Sequence, residues 1–169
     1  MKGPSRQTDD SLGTVTRRGA VYDLVIERRI QKPVAKVWAA LTVPERIADW
    51  FTPVELDLRI GGIYRLSFPQ DGYSIDGVIL ELEPMRVLAH SWPDPAHADS
   101  VVRYELEPDG GGCRLTFTQT GLPRQYAGSI AGWHVFLHGL PGATEGMRTE
   151  WTRARENEIL ERYKDQLPA

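Results

Sequence analysis

Apolar and polar side chains alternate along the segment that begins at Tyr22, and this period of two predicts a β-strand. The apolar positions are Tyr22, Leu24, Ile26 and Ile30, and charged residues such as Asp23 and Glu27 lie between them. Because successive side chains of a strand point to opposite faces, this strand has one wet face and one face against a core.

Helical spacing follows the first strand. Apolar residues recur three or four positions apart at Val34, Val37, Trp38 and Leu41. Pro33 suits the first turn of this helix, where a missing N–H costs little, and Pro44 ends it and starts a second short helix that reaches Trp50. The pattern therefore predicts two small helices between the first strand and a sheet.

Beyond Pro53 the chain reads almost entirely as strands closed by Gly, Pro or Asp. The predicted strands are VELDL, GGIYRLSFP, YSIDGVILELEP, RVLAHSWP, SVVRYELEP and CRLTFTQTGLP. Gly61-Gly62 and the run 109–112 supply the backbone freedom that turns between strands require. This spacing is typical of an antiparallel meander.

Helical periodicity returns after Pro123. One apolar stripe consists of Ile130, Trp133, Leu137 and Leu140, and it ends near Pro141-Gly142. A further helix, about 147–167, carries Trp151, Ile159 and Tyr163 among many charges. We expect these three side chains to cover this domain, with a homodimer as the alternative. A helix packed on an antiparallel sheet indicates an α+β fold that encloses a cavity.

At 169 residues the chain fits one domain with a substantial core. Residues 1–20 are polar and predict a flexible N-terminal segment, or an arm that orders on a partner, and 21–169 form the domain. The net charge of -3 argues against a nucleic-acid surface. Cys113 is the single cysteine, and neither a signal peptide nor a membrane span is visible, so we expect a cytoplasmic protein.

Six short signatures follow one another in a familiar order between about Tyr22 and Leu140. They are PVAKVWAALTVPERIADWF, DLRIGGIYRL, DGVILELEP, LAHSW, LEPDGGGCRLTFTQTGLP and GWHVFLHGL. The chain resembles the homologues of the activator of Hsp90 ATPase, in the START-like, birch-pollen-allergen-like superfamily also called SRPBCC. This resemblance implies a helix-grip fold: a curved antiparallel sheet of about six or seven strands, two small helices, and a long C-terminal helix over a cavity.

Strand parity, read with this fold, indicates which side chains face the cavity. The candidate lining residues are Trp50, Tyr64, Phe68, His90, Trp92, Tyr104, Phe117, Gln119, Trp133 and Leu137. The alternative is that the aromatic members are ordinary core packing. His90 and Gln119 are polar on apolar faces, so each either addresses a ligand or bonds to a neighbouring strand, to Tyr104 or to water.

No catalytic set is visible, and neither a cofactor nor a metal is predicted. His134 and His138 are four residues apart, a spacing that can hold zinc, but no further ligands are placed to complete the site. We expect His134 near the cavity mouth and His138 in solvent. If there is chemistry, His90 is the best candidate for a general base.

Three functions remain open. The first is binding of a small hydrophobic or aromatic molecule, which needs only the cavity. The second, implied by the resemblance alone, is stimulation of a heat-shock chaperone ATPase by contact with the chaperone. The third is a cyclase or hydrolase that uses the pocket. Because the superfamily includes lipid and hormone binders, polyketide cyclases and chaperone stimulators, its fold does not decide among them.

Overall fold

A computed structural model describes residues 9–93 and 100–167. The strands are β1 (Thr14–Arg18), β2 (Val21–Ile30), β3 (Val54–Leu56), β4 (Ile63–Phe68), β5 (Tyr73–Glu83), β6 (Val87–Ser91), β7 (Val101–Asp109) and β8 (Gly112–Pro123). The helices are α1 (Val34–Thr42), α2 (Pro44–Trp50), α3 (Gly128–Ala143) and α4 (Arg153–Arg162). Short 3-10 turns occupy 124–126 and 164–166.

The strands form a single antiparallel sheet in the order β1-β2-β8-β7-β6-β5-β4-β3. Register shifts interrupt the pairing near Tyr22 in β2 and between Ile79 and Glu81 in β5. Such irregularities bend strands and increase their twist, which suits a sheet that curves around a helix. The predicted α+β helix-grip fold is confirmed.

The sheet has eight strands, which corrects the six or seven predicted. The additional strand is β1, which pairs with β2 and lies within the segment predicted to be flexible. Its sequence, TVTRR, has a single large apolar side chain, Val15, so it lacks the alternation that marks a buried strand. Residues 1–8 of that segment lie outside the described residues.

The small helices begin at their prolines as predicted. The Pro33 carbonyl accepts the N–H groups of Lys36 and Val37 at the start of α1, and Pro44 is the first residue of α2. The Trp50 indole N–H donates to the Ala40 carbonyl at 2.7 Å and ties α2 to α1. Helix α1 contacts β7 and β8, and α2 contacts β3 and α3.

Helix α3 lies over the concave face of the sheet, with Ile130, Trp133, Leu137 and Leu140 all buried. It continues through Pro141 to Ala143, one residue beyond the predicted end near Pro141-Gly142. The buried faces of the strands also follow the predicted parity: Leu66 in β4, Leu88 in β6 and Leu115 in β8 are fully buried. None of the described helices is long and apolar enough to cross a bilayer.

The two ends of the described chain pack against each other. Gln166 accepts the Val15 N–H at 2.9 Å and donates to the Gly13 carbonyl at 3.0 Å. Ile159 and Tyr163, on and just after α4, are fully buried within this chain. The surface that they cover is therefore this domain, as expected. The predicted extra C-terminal helix is shorter than 147–167, because 147–152 has no regular secondary structure and α4 spans only Arg153–Arg162.

Gly62 offers a direct test of the turn before β4. A methyl group at this position would collide with the Asp57 carbonyl and lie 2.9 Å from the Arg59 carbonyl, and both obstacles are backbone. We expect Gly62→Ala to lower the free energy of unfolding by about 1–3 kcal/mol, the usual cost of overpacking. Urea denaturation at pH 7 measures it.

Gly111→Ala is the matched control, since nothing lies within 4 Å of the methyl group it would add. We expect this variant to stay within about 0.5 kcal/mol of the unmodified protein. Equal stability of the two variants would contradict the packing argument.

Candidate functional site

An open groove of about 630 Å³ lies at one side of α3. Its walls come from the end of α2, the β4–β5 turn, the first turns of α3 and the segment 148–156. We call it the aromatic groove, because it is lined by Phe51, Phe68, Tyr73, Trp92, Trp133, Phe136 and Trp151. The prediction was an internal cavity, whereas this volume is a groove that opens to the surface beside α3.

Phe51, just after α2, is the centre of the aromatic set. Its ring centroid is 4.8 Å from that of Phe136 and 4.9 Å from that of Trp133. It also stacks with Trp92 at 6.4 Å and meets the edge of Phe68 at 5.9 Å. These offset and edge contacts are the arrangements that aromatic rings prefer, so the wall is held together by its own rings.

The segment between α3 and α4 supplies the opposite wall. The Thr149 N–H donates to the Asp49 carbonyl at 3.0 Å, which fastens the segment to α2. The Trp151 indole donates to Glu156 at 2.7 Å, and the Arg153 guanidinium lies 4.8 Å from the centre of the Trp151 ring. Arg153 also pairs with Glu156 at 3.1 Å, so the Trp151 side chain is held in place from two sides.

Three of the ten predicted lining residues, Phe68, Trp92 and Trp133, line the groove. The other seven lie behind it and are at most 2% exposed: Trp50, Tyr64, His90, Tyr104, Phe117, Gln119 and Leu137. The structure therefore places the predicted set in one region but at two depths. The groove itself contains no histidine or cysteine among its described lining residues.

Gln119 finds its partners within the protein. Its side-chain oxygen accepts the Trp133 indole N–H at 2.7 Å, and its amide nitrogen donates to the Ser100 hydroxyl at 3.0 Å. Ser100 in turn donates to the Thr120 carbonyl at 2.9 Å. These hydrogen bonds fix the orientation of the Trp133 ring, which lines the groove. Gln119 therefore affects the shape of the groove indirectly, by holding Trp133 in place.

His90 is only partly satisfied. Its Nδ1 lies 3.0 Å from the Ser91 carbonyl oxygen, and its ring stacks on Tyr64 with 3.9 Å between centroids. Its Nε2, like the hydroxyl of Tyr104, is buried without a hydrogen-bond partner among the described residues. Complete burial lowers the pKa of His90 to about 4, because the charged imidazolium would lose its hydration.

His134 lies in a separate polar cluster and not at the groove. Its Nε2 is 2.8 Å from Asp10, its Nδ1 is 2.9 Å from the Tyr163 hydroxyl, and Arg28 approaches within 3.4 Å. Burial, reinforced by the charge of Arg28, lowers the pKa of His134 to about 4 despite the bond to Asp10. Arg162 also pairs with Asp10 at 2.8 Å. The cluster thus joins the N-terminal segment, β2, α3 and the end of α4.

The second histidine of the pair, His138, is 39% exposed and 3.6 Å from Asp10. Within residues 9–93 and 100–167, no three His, Cys, Asp or Glu side chains are arranged to hold a metal ion.

Parity and helical spacing did not identify Phe51, Tyr73, Phe136 or Trp151 as groove residues. Phe51 and Tyr73 lie at element ends, where neither period applies. Phe136 directly precedes Leu137 of the predicted apolar stripe on α3, and this position is a signal from which its role could have been predicted. Trp151 reaches the groove only because 147–152 does not continue as helix.

Both buried histidines should make stability depend on pH. Their pKa values are about 4 in the folded protein, against an ordinary value of 6.5, so the unfolded chain binds protons that the folded chain does not. The free energy of unfolding should therefore fall as the pH decreases from about 6.5 towards 4, by on the order of 3 kcal/mol for each group. Urea titrations between pH 4.5 and 7 measure this slope.

His134→Gln should remove about half of that slope, because one of the two buried histidines is then absent. Asp10 does not interfere in this window. Although burial alone would raise its pKa, hydrogen bonds from His134 and Arg162 lower it below 3.8. Identical slopes in the variant and the unmodified protein would contradict the assignment.

Comparison with protein families gives a match to "Activator of Hsp90 ATPase homolog 1-like protein" over residues 31–145. The chain belongs to this family. It has the START-like, SRPBCC-type fold that the resemblance implied, with α3 as the gripping helix. Residues 148–153, which complete the aromatic groove, follow the matched region. A comparison with curated proteins gives no match.

Solved structures agree with the family assignment. Protein MLL2253 from Mesorhizobium loti is 32% identical, with a TM-score of 0.66, and the alignment covers 73% of this chain and 96% of that one. CalU16 from Micromonospora echinospora is 27% identical, with a TM-score of 0.75 over 98% of this chain and 100% of its own.

DynU16, described as a putative protein in the dynemicin biosynthetic locus, is 26% identical with a TM-score of 0.64. The alignment covers 78% of this chain and 51% of DynU16, so about half of that protein is matched.

Proposed function

We propose that this protein binds a small hydrophobic or aromatic molecule in the aromatic groove. The observation that carries the proposal is the convergence of seven aromatic side chains on one open volume. Aromatic faces that border a groove are poorly hydrated, and a planar ligand can stack on them with little loss of side-chain entropy. Phe51, Phe68 and Trp92 are only partly buried, so their free surface is available for such contacts.

The size of the groove fits this class of ligand. Its volume of about 630 Å³ lies inside the range of small-molecule sites, roughly 300–1,000 Å³. Its rim mixes charges of both signs, with Arg148 and Arg153 opposed by Asp71, Glu150 and Glu156. No single charge dominates the rim, so a neutral ligand that carries polar substituents suits it better than a strongly charged one.

The comparisons support the same proposal. The fold is one in which a long helix and a curved sheet bound an interior, and the groove opens at the edge of that interior. DynU16, which is similar over 78% of this chain, is described as belonging to a biosynthetic locus. A relative in such a setting is consistent with a role in binding a small molecule.

Stimulation of a heat-shock chaperone ATPase is the second candidate, and the name of the matched family favours it. This function requires a protein surface and does not require the groove. A steady-state ATPase assay of the Hsp90-type chaperone from the same organism, with and without this protein, decides it. An unchanged rate at saturating protein would remove this candidate.

Truncation of a groove aromatic should weaken ligand binding. Phe136 packs on Phe51 and lines the groove, but it is partly exposed, so Phe136→Ala should leave the fold intact. We expect it to weaken the binding of 2-naphthol about tenfold, since one stacking face and its buried apolar area are lost. Isothermal titration calorimetry measures the dissociation constant.

Tyr126→Ala is the matched control. Tyr126 precedes α3, is 39% exposed and does not line the groove, so its loss should leave the affinity unchanged. Equal losses of affinity in both variants would place the ligand elsewhere. If neither 2-naphthol nor 2-methylnaphthalene binds the unmodified protein, the proposed function is overturned for aromatic ligands of this size.

A further inference from the structure

Two buried polar atoms lie behind the aromatic groove without partners among the described residues: Nε2 of His90 and the hydroxyl oxygen of Tyr104. The two residues are 0% and 1% exposed. Buried polar atoms in folded proteins are almost always hydrogen-bonded, and each exception calls for an explanation. One explanation is that their partner arrives with a ligand.

The two residues are neighbours on the concave face of the sheet. In the β6–β7 pairing, His90 is opposite Val102 and Leu88 is opposite Tyr104, so His90 and Tyr104 are diagonal to each other. Their ring centroids are 6.3 Å apart. Aromatic side chains that are diagonal on one face of a sheet are within reach of each other, so we expect one small group to contact both.

This polar pair borders the floor of the groove. Trp92, two residues after His90, lines the groove and has its ring centroid 6.3 Å from that of His90. On the other side, Tyr104 contacts Phe117 at 5.4 Å, and Phe117 contacts Trp133 at 4.5 Å. One ring, that of Trp92, thus lies between His90 and the groove, and two rings, those of Phe117 and Trp133, lie between Tyr104 and the groove.

The hydrogen-bonding roles of the pair define the group that they can bind. The Ser91 carbonyl oxygen can only accept, so His90 Nδ1 carries the proton and Nε2 presents a lone pair. The Tyr104 hydroxyl can donate and accept. A neutral hydroxyl satisfies both, because it donates to Nε2 and accepts from Tyr104. A carbonyl or carboxylate has no proton to give to Nε2, and a charged group would be desolvated in this apolar surrounding.

We propose that His90 and Tyr104 form an inner polar subsite that binds the hydroxyl substituent of an aromatic ligand, such as a phenol or naphthol, whose rings occupy the aromatic groove. This inference rests on the proposed function and specifies its class of ligand, which is an aromatic compound that carries a hydroxyl group. Trp133 is held by Gln119, whereas the Trp92 side chain is partly exposed, so the opening of the subsite requires Trp92 to turn.

The test compares two ligands of nearly equal shape, 2-naphthol and 2-methylnaphthalene, by calorimetric titration. The unmodified protein should prefer 2-naphthol, and Tyr104→Phe should reduce that preference about tenfold, the worth of a buried hydrogen bond. The affinity for 2-methylnaphthalene should not fall. The melting temperature of ligand-free Tyr104→Phe should be unchanged or higher, because the hydroxyl that it removes has no partner.

Tyr163→Phe is the control for a merely structural hydroxyl. The Tyr163 hydroxyl accepts the Gly13 N–H at 2.8 Å and lies 2.9 Å from His134, so its removal should lower the melting temperature and leave the ligand preference unchanged. Tyr104→Phe should therefore reduce the ligand preference without lowering the melting temperature, whereas Tyr163→Phe should lower the melting temperature without changing the preference.

The outcomes separate the subsite from the groove. If both ligands bind but the preference is absent, or is unchanged in Tyr104→Phe, the subsite is overturned and the proposed function stands. A lower melting temperature of Tyr104→Phe with an unchanged preference would show that a buried water already bridges the pair, which also overturns the subsite. If neither ligand binds, both proposals fail.

Discussion

The packing of Trp133 between the sheet and the groove is the constraint on which the site depends. One side of its ring contacts Phe117 on β8, and its indole N–H is bonded to Gln119 on the same strand. Another side contacts Phe51 and borders open volume. Because a curved sheet exposes a concave apolar face, α3 must cover it, and Trp133 marks where the cover ends and the groove begins.

The groove is built partly from the region that matches the family and partly from residues that follow it. Its floor and one wall belong to the region that matches the activator-of-Hsp90-ATPase homologue family, residues 31–145, and the wall with Trp151 lies beyond it. That wall depends on α4, whose C-terminal end is held by Asp10 through Arg162. MLL2253 aligns with 73% of this chain and CalU16 with 98%, so relatives differ in how much of the added wall they can share.

Sequence reasoning predicted most of the fold, because strand alternation and helical spacing are local properties. Leu88 and His90 are buried as parity requires, and α2 begins at Pro44. Strand β1 was missed because its pairing depends on backbone bonds and on Gln166, about 150 residues away. Helix α3 passes Pro141 because a proline near a C-terminal end disturbs only the last turn.

The site was predicted less completely, for a physical reason. Parity states which face of a strand a side chain occupies, but it does not state how far that face lies from solvent. Tyr104 and Trp92 share the concave face, yet the first is in the core and the second is at the groove. The depth is set by α3 and by the segment after it, whose positions arise from contacts distant in sequence.

The bonds between Gln166 and the backbone of Gly13 and Val15 have a topological consequence. They bring the two ends of the described part of the chain side by side, and none of these three residues lines the groove. A short peptide could therefore join the two ends, and new ends could be opened in the Asp109–Gly112 hairpin, giving a circularly permuted protein with the same binding face.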